Sequence, residues 1–408
     1  MVSYAKGTHM RLIVTTGLFA LATSAGAAQE SDPLTEAVSA NTHRIAYTSE
    51  GVSGPGGDLL NSRAEAAGLV GFGEQHATGD IARFANAWFA DLDGLGFDHA
   101  ILEVGPWSTQ TAEALFLEGP NAFEIDASSR AGGMAYPFLF FQEEADLARD
   151  IVARHEGEGP ALWGVDQEFI AGGTILADRL GELASNDAQN AAVAGFRAGL
   201  EASPWMLGLA DRSAFDDLSS AFADGEGHAI VEEMIRSNRI YAPFTGRGGS
   251  GYTANLEREQ GMKHYFLHAW NEIEARNGDN PRVFLKFGGF HLMRGHSGTN
   301  VPSLGNFIAE WSMTEGTSFY NIMVDCVGGQ MTDPRSGEAS DCDSYFDTTE
   351  TPFEGLATDG PVVINLEALR PLASASPNMD ADLHQLIFAF DAYVMLPDVA
   401  AASVIQAP

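Results

Sequence analysis

The chain has 408 residues, 45% of them apolar, enough to bury a substantial core in one large domain or two ordinary ones. Its 56 acidic side chains stand against 22 basic ones, a net charge of −34 with histidine neutral. A field of that sign repels phosphate backbones and anionic lipid, which argues against general nucleic-acid binding and against docking on an acidic membrane surface. Only three lysines occur, Lys6, Lys263 and Lys286. Arginine therefore carries nearly all the positive charge, as it does in fixed carboxylate pairs.

Residues 1–28 read as a secretory signal peptide. Arg11 gives a short positive region, and Leu12 to Ala22 is an apolar run too short to span a bilayer. Ala25-Gly26-Ala27 offers an A-x-A cleavage site. Residues 1–9 fit poorly, because a natural signal can begin at Met10, and the GTHM stretch reads as a cloning scar. The bland alternative is a buried N-terminal helix. The expected location is the periplasm or the outside of the cell. No later stretch approaches the roughly 18 uninterrupted apolar residues of a membrane span.

Residues 29–408 read as a single α/β domain with a mainly parallel sheet flanked by helices. Four short apolar runs share one form. LVGFG (69–73) ends at Glu74, HAILEVG (99–105) carries Glu103, ALWGVD (161–166) ends at Asp166, and RVFLKFGGFH (282–291) ends at His291. Such runs, β-rich and stopped by glycine, are how strands buried on both faces read. Helical stretches separate them. Asp80 to Leu92 places Ile81, Phe84, Trp88 and Leu92 at helical spacing, and residues 138–155 and 173–186 are similar. Between about 167 and 281 the periodicity is helical with no convincing strand, which reads as a helical insertion or lid. Within it His264 and His268 read as a partly buried polar pair, and GRGGSG (246–251) as a mobile loop. Further strands are expected at 318–325, 361–366 and 390–396.

Cys326 and Cys342 are the only cysteines and flank a loop rich in Gly, Asp and Ser. In an oxidising compartment they are expected to pair.

Ligands of open α/β sheets gather outside the carboxyl ends of the strands. Glu74, His76, Glu103, Asp166 and His291 all fall there. Each alone has a structural reading, as a helix cap or a carbonyl partner; their joint recurrence points to a site. An imidazole beside carboxylates can take a proton from water. Two histidines and one or two carboxylates also suffice for a divalent metal, so the same set serves either use. No GxSxG is present, which leaves a serine-hydrolase elbow unsupported.

In order along the chain, LVGFGEQHATGDIARF, ILEVGPWS, LWGVDQEF, NLEREQGMKHYF and VFLKFGGFHLMRG resemble the motifs of the erythromycin esterase-like, ChaN-like and Tiki superfamily. They run from about residue 69 to 295. The esterase branch implies a hydrolase of an ester, lactone or amide that needs no cofactor. Its catalytic residues would be His76 as base with Glu74, Glu103 and His291, and its substrate binders Asp166, Arg258 and Arg294. That branch usually has GExxH where this chain has GExH, a spacing closer to the ChaN-like branch. The ChaN-like alternative implies a haem- or metal-binding protein, and the Tiki-like one a metallopeptidase. The expected partner is a small-molecule or peptide substrate. N-terminal sequencing of exported protein should begin beyond Ala27; a start at Met1 or Met10 would rule the signal out.

Overall fold

Six of the apolar runs become neighbouring parallel strands. The computed structural model describes residues 33–334, 336–376 and 379–406; the expected signal segment, residues 1–28, lies outside them. The main sheet has eight strands: β1 (Thr42–Arg44), β2 (Leu69–Glu74), β3 (His99–Leu102), β4 (Leu162–Gly164), β5 (Val283–Gly288), β6 (Phe319–Cys326), β7 (Val362–Asn365) and β8 (Ala392–Leu396). Their order is β1-β7-β8-β6-β2-β5-β3-β4. From β8 to β4 every pairing is parallel, and β7 runs antiparallel to both of its neighbours. The expected α/β class, with a mainly parallel sheet between helices, is the observed one.

Every residue of β2 and β5 is buried. Successive side chains point to opposite faces. Val70, Phe72 and Phe284 therefore join one apolar cluster, and Leu69, Val283, Leu285 and Phe287 the other. This two-sided burial is why the sequence shows continuous apolar runs rather than alternation. On the first face pack helices α1 (Gly79–Gly94) and α2 (Gln142–Arg154). Phe72 meets the rings of Phe84, Trp88 and Phe284 at centroid distances of 6.0, 6.4 and 5.8 Å. Truncating it to Ala would cost about 3–5 kcal/mol. On the second face lies α3 (Gly251–Asn277), which buries Met262, Phe266, Trp270 and Ile273.

Between Asp166 and Arg282 the chain is helical throughout its ordered elements. These helices close a separate apolar cluster around Leu176, Phe196, Phe215, Ile230 and Met234. Asn186 starts one of them by accepting a hydrogen bond from Gln189 N at 3.0 Å. One sequence expectation here needs correction. His264 and His268 are both exposed rather than partly buried, because they point away from the apolar stripe of α3. In the Gly-rich loop Arg247 donates to Ala210 O and Asn238 Oδ1 at 2.8 and 3.0 Å, while the glycines around it are exposed.

Two short hairpins have no counterpart in the sequence reading, Ala46–Thr48 with Gly51–Ser53 and Gln330–Thr332 with Ala339–Asp341. Three-residue strands are too short to carry a periodic signal. The second hairpin lies inside the loop closed by Cys326 and Cys342, which are bonded with their Cα atoms 6.4 Å apart. Beside Cys326, the buried carboxylate of Asp325 accepts from Ser344 Oγ, Tyr345 N and Tyr393 Oη at 2.9, 3.0 and 2.9 Å. Disulfide and carboxylate together fix the segment that brings Tyr345 over the carboxyl end of the sheet. Replacing both cysteines by serine should lower unfolding free energy by about 3 kcal/mol, read from denaturant melts of the two proteins.

Candidate active site

The parallel register sets the carboxyl ends of β2, β3 and β5 side by side, with Glu74 opposite Gly288. Glu74 ends β2 and His76 follows two residues later. His76 Nδ1 lies 2.8 Å from Glu74 Oε1, and its Nε2 lies 3.4 Å from Glu103 Oε2. Glu103 follows β3. Its other oxygen, Oε1, lies 3.3 Å from His291 Nε2, and His291 Nδ1 lies 2.6 Å from Glu259 Oε1 on α3. The two histidines, more than 200 residues apart, thus share one carboxylate, and each is backed by a carboxylate of its own.

Further donors converge on Glu103. Gly288 N donates to Oε2 at 2.7 Å and Arg258 Nη2 to Oε1 at 2.7 Å. Arg258 also grips Asp166, Nε to Oδ1 at 2.9 Å and Nη2 to Oδ2 at 2.5 Å. Gly288 explains a glycine of the KFGGFH run. A Cβ there would stand 2.4 Å from His76 Nε2, so any side chain would displace the ring.

Behind His76, Lys286 on β5 donates to Glu74 Oε2 at 2.5 Å and to Glu144 Oε1 on α2 at 2.7 Å. In front of it, the ring of Phe138 stacks with its centroid 4.2 Å away and the planes 20° apart. Phe138 and Ala77 both hold left-handed backbone, φ 61° and 65°, where L side chains are disfavoured. Ala77 is held there by its carbonyl, which accepts from Thr332 N and Ala402 N at 2.9 and 3.1 Å.

Burial works against a charged ring at His76, but hydrogen bonds to Glu103 and Glu74 outweigh it and raise its pKa to about 9. At His291 burial and Arg258 both oppose the charge, yet Glu103 and Glu259 carry it up to about 10. Burial likewise opposes ionised Glu103, and the two imidazoliums hold it well below the usual carboxylate range. The geometry agrees: each Nδ1 is hydrogen-bonded to a carboxylate of its own, and each Nε2 lies within ion-pair distance of Glu103.

The cluster floors a cavity of about 370 Å³. Its walls are largely aromatic, with Phe138, Phe169, Tyr241, Phe290 and Tyr345. Gln167, Phe169, Tyr241 and Arg258 come from the helical block, which therefore supplies one side of the cavity.

Of the residues singled out in the sequence, Glu74, His76, Glu103, Asp166, Arg258 and His291 are brought together. Arg294 is not. After Leu292 the chain doubles back toward the amino end of the sheet, where Arg294 forms a double ion pair with Asp391 at 2.9 and 2.6 Å. It lines a different cavity, beside Phe319 at the start of β6. Glu144, Glu259, Lys286, Phe138 and Tyr345 were not singled out. A lysine inside an otherwise apolar strand was the one available signal. Among the described residues no group of three or more His, Cys, Asp or Glu is arranged to hold a metal ion. No helix among them is long and apolar enough to cross a membrane.

Raised histidine values mean that the fold favours imidazolium. That stabilisation is complete below the ordinary value of 6.5 and is lost as pH rises through about 9 and 10. Unfolding free energy should therefore decline across this alkaline window, and His291→Gln should flatten the decline in the same melts.

The sequence matches no known family and none of the curated proteins. The fold has solved counterparts. A Bacillus cereus protein superposes with a TM-score of 0.59 at 13% identity, covering 91% of this chain and 98% of that one. A succinoglycan biosynthesis protein gives 0.59 at 11% identity over 91% and 98% of the two chains. A histidine-to-asparagine mutant of an erythromycin esterase in its open conformation gives 0.55 at 14% identity over 86% and 95%. At such identities the likeness is one of fold alone.

Proposed function

We propose that the chain is an exported hydrolase that activates water at the His76–Glu103–His291 cluster to cleave an ester, lactone or amide. The observation that carries this reading is the doubled arrangement, two imidazoles on one carboxylate with a private carboxylate behind each. A carboxylate at Nδ1 fixes the ring's orientation and stabilises imidazolium, the condition for a histidine that trades protons with water. The Nε2 contacts to Glu103, 3.4 and 3.3 Å, are long enough to be exchanged for a substrate or a water.

The two histidines suit different tasks. His76 has 27% of its side chain exposed, against 9% for His291. His76 is therefore assigned as the base. His291, which keeps its proton to higher pH, stays cationic with Arg258 and opposes the negative charge that develops on the attacked carbonyl oxygen. A cavity of about 370 Å³ with aromatic walls suits a compact substrate with an apolar or planar group. The disulfide and the signal-like leader support export.

The test is a panel of esters, lactones and peptides. His76→Ala and His291→Gln should each lower kcat/KM about 100-fold or more, and the double variant should be little worse than the poorer single one. Glu74→Gln, which keeps shape and removes charge, should also be severe. Because His76 must be neutral to act, kcat/KM should climb toward about pH 9 and fall above about 10, where His291 loses its proton. Two modest, additive losses would mean that the histidines do not act as one unit. Loss of activity on chelation, or a visible haem band dependent on His76, would replace the hydrolase reading with a metal-based one.

A further inference from the structure

We propose that Lys286 is a positioning residue for His76. It keeps Glu74 ionised and aims Glu74 Oε1 at His76 Nδ1, so that Nε2 faces the cavity. Its consequence for rate rests on the hydrolase reading above; its consequence for the imidazole does not.

Lys286 is costly where it stands. It is one of three lysines in the chain and is 4% exposed, in a strand buried at all six positions. A buried ammonium is destabilising unless closely paired, and an apolar residue of similar size is often as stable in its place. Packing alone does not explain it.

Its partners indicate a task. On Glu144 burial and the nearby Glu74 charge raise the pKa to about 7, so this carboxyl is charged only part of the time near neutrality. On Glu74, burial is opposed by Lys286 and His76, and the balance lies toward the carboxylate. Glu74 is thus the lasting ionic partner, with Oε2 on the ammonium and Oε1 on the imidazole. The charged and titratable groups near Glu74 are Lys286 on β5, Glu144 on α2, His76 on its own loop, Glu103 after β3, and Tyr345 on the loop beyond the disulfide.

Lys286 does not line the 370 Å³ cavity. It borders a separate space of about 20 Å³ shared with Glu74, His76, Glu103 and Glu144. Its influence on a substrate must therefore pass through Glu74 and His76. The result is an unbroken alternation of acid and base, Glu144–Lys286–Glu74–His76–Glu103–His291–Glu259, from α2 on one face of the sheet to α3 on the other.

The experiment is NMR of ¹⁵N-histidine in wild-type protein and in Lys286→Met/Glu144→Gln, which removes the buried ammonium together with the ionisable carboxyl of Glu144. If Lys286 positions Glu74, the His76 midpoint should fall by about one pH unit or more in the folded double variant. Hydrolysis of p-nitrophenyl acetate should lose kcat about tenfold or more with little change in KM. An unchanged His76 midpoint would reduce Lys286 to a counter-ion for Glu144 and overturn the proposal. A second measurement needs no variant. In wild-type protein the Glu74 ¹³Cδ signal should show no step of the size that protonating its own carboxyl gives between about pH 5 and 8, only the smaller shift passed on from Glu144; a full-sized step there would mean that Lys286 does not keep Glu74 ionised. If His76 shifts as expected but wild-type protein hydrolyses no ester, the positioning role stands and the hydrolase reading falls.

Discussion

One buried carboxylate organises the carboxyl end of the sheet. Glu103 is 5% exposed and faces four donors: His76 Nε2, His291 Nε2, Arg258 Nη2 and Gly288 N. An ionised carboxylate has about four acceptor sites, so this one is close to saturated. The donors come from the loop after β2, the end of β5, the turn beyond it and α3. Leaving such a carboxylate unpaired would carry its full desolvation cost, which ties these elements into one arrangement.

The parallel register is what makes that hub possible. Strands β2, β5 and β3 are neighbours and run the same way, so residues far apart in sequence end at one level. Side-chain alternation then sorts the charges. Glu74 shares a face with Val70 and Phe72, and Lys286 shares it with Phe284, so both project toward α2 and Glu144. Glu259 approaches from α3 on the other face and is itself fixed by Leu304 N at 2.7 Å.

Much of this was legible in the sequence, for a definite reason. A strand buried on both faces must be apolar throughout, so the polar residue that stops it stands out; Glu74 and Asp166 were found that way, and Glu103 and His291 by their place near the ends of the same runs. Cys326 and Cys342 were legible because nothing else in the chain could pair with them. Glu144 and Glu259 were not, because both lie on helices where an acid ordinarily faces water. The aromatic run YPFLFFQ (136–142) reads as core or as the lining of an apolar pocket, and it is both: Tyr136, Leu139, Phe140 and Phe141 are core, while the left-handed turn sends the Phe138 ring to the cavity. Arg294 was misplaced because three residues after His291 the chain has already turned back, with Arg294 N bonded to Ala389 O at 3.3 Å. Proximity in sequence does not survive a reversal of direction.

The left-handed residues at the His76–Phe138 stack, Ala77 and Phe138 itself, set stability against order. Ala77 and Phe138 each occupy a conformation that costs an L residue roughly 1–2 kcal/mol. Glycine at Ala77 would remove that strain but would also widen the range of conformations open to the loop in the folded protein, whereas at Phe138 it would delete the ring that stacks on His76. Screening for thermal stability alone would therefore be drawn to Ala77, next to the imidazole whose order depends on a constrained backbone. Alanine at 77 thus trades some stability of the chain for a ring with one orientation.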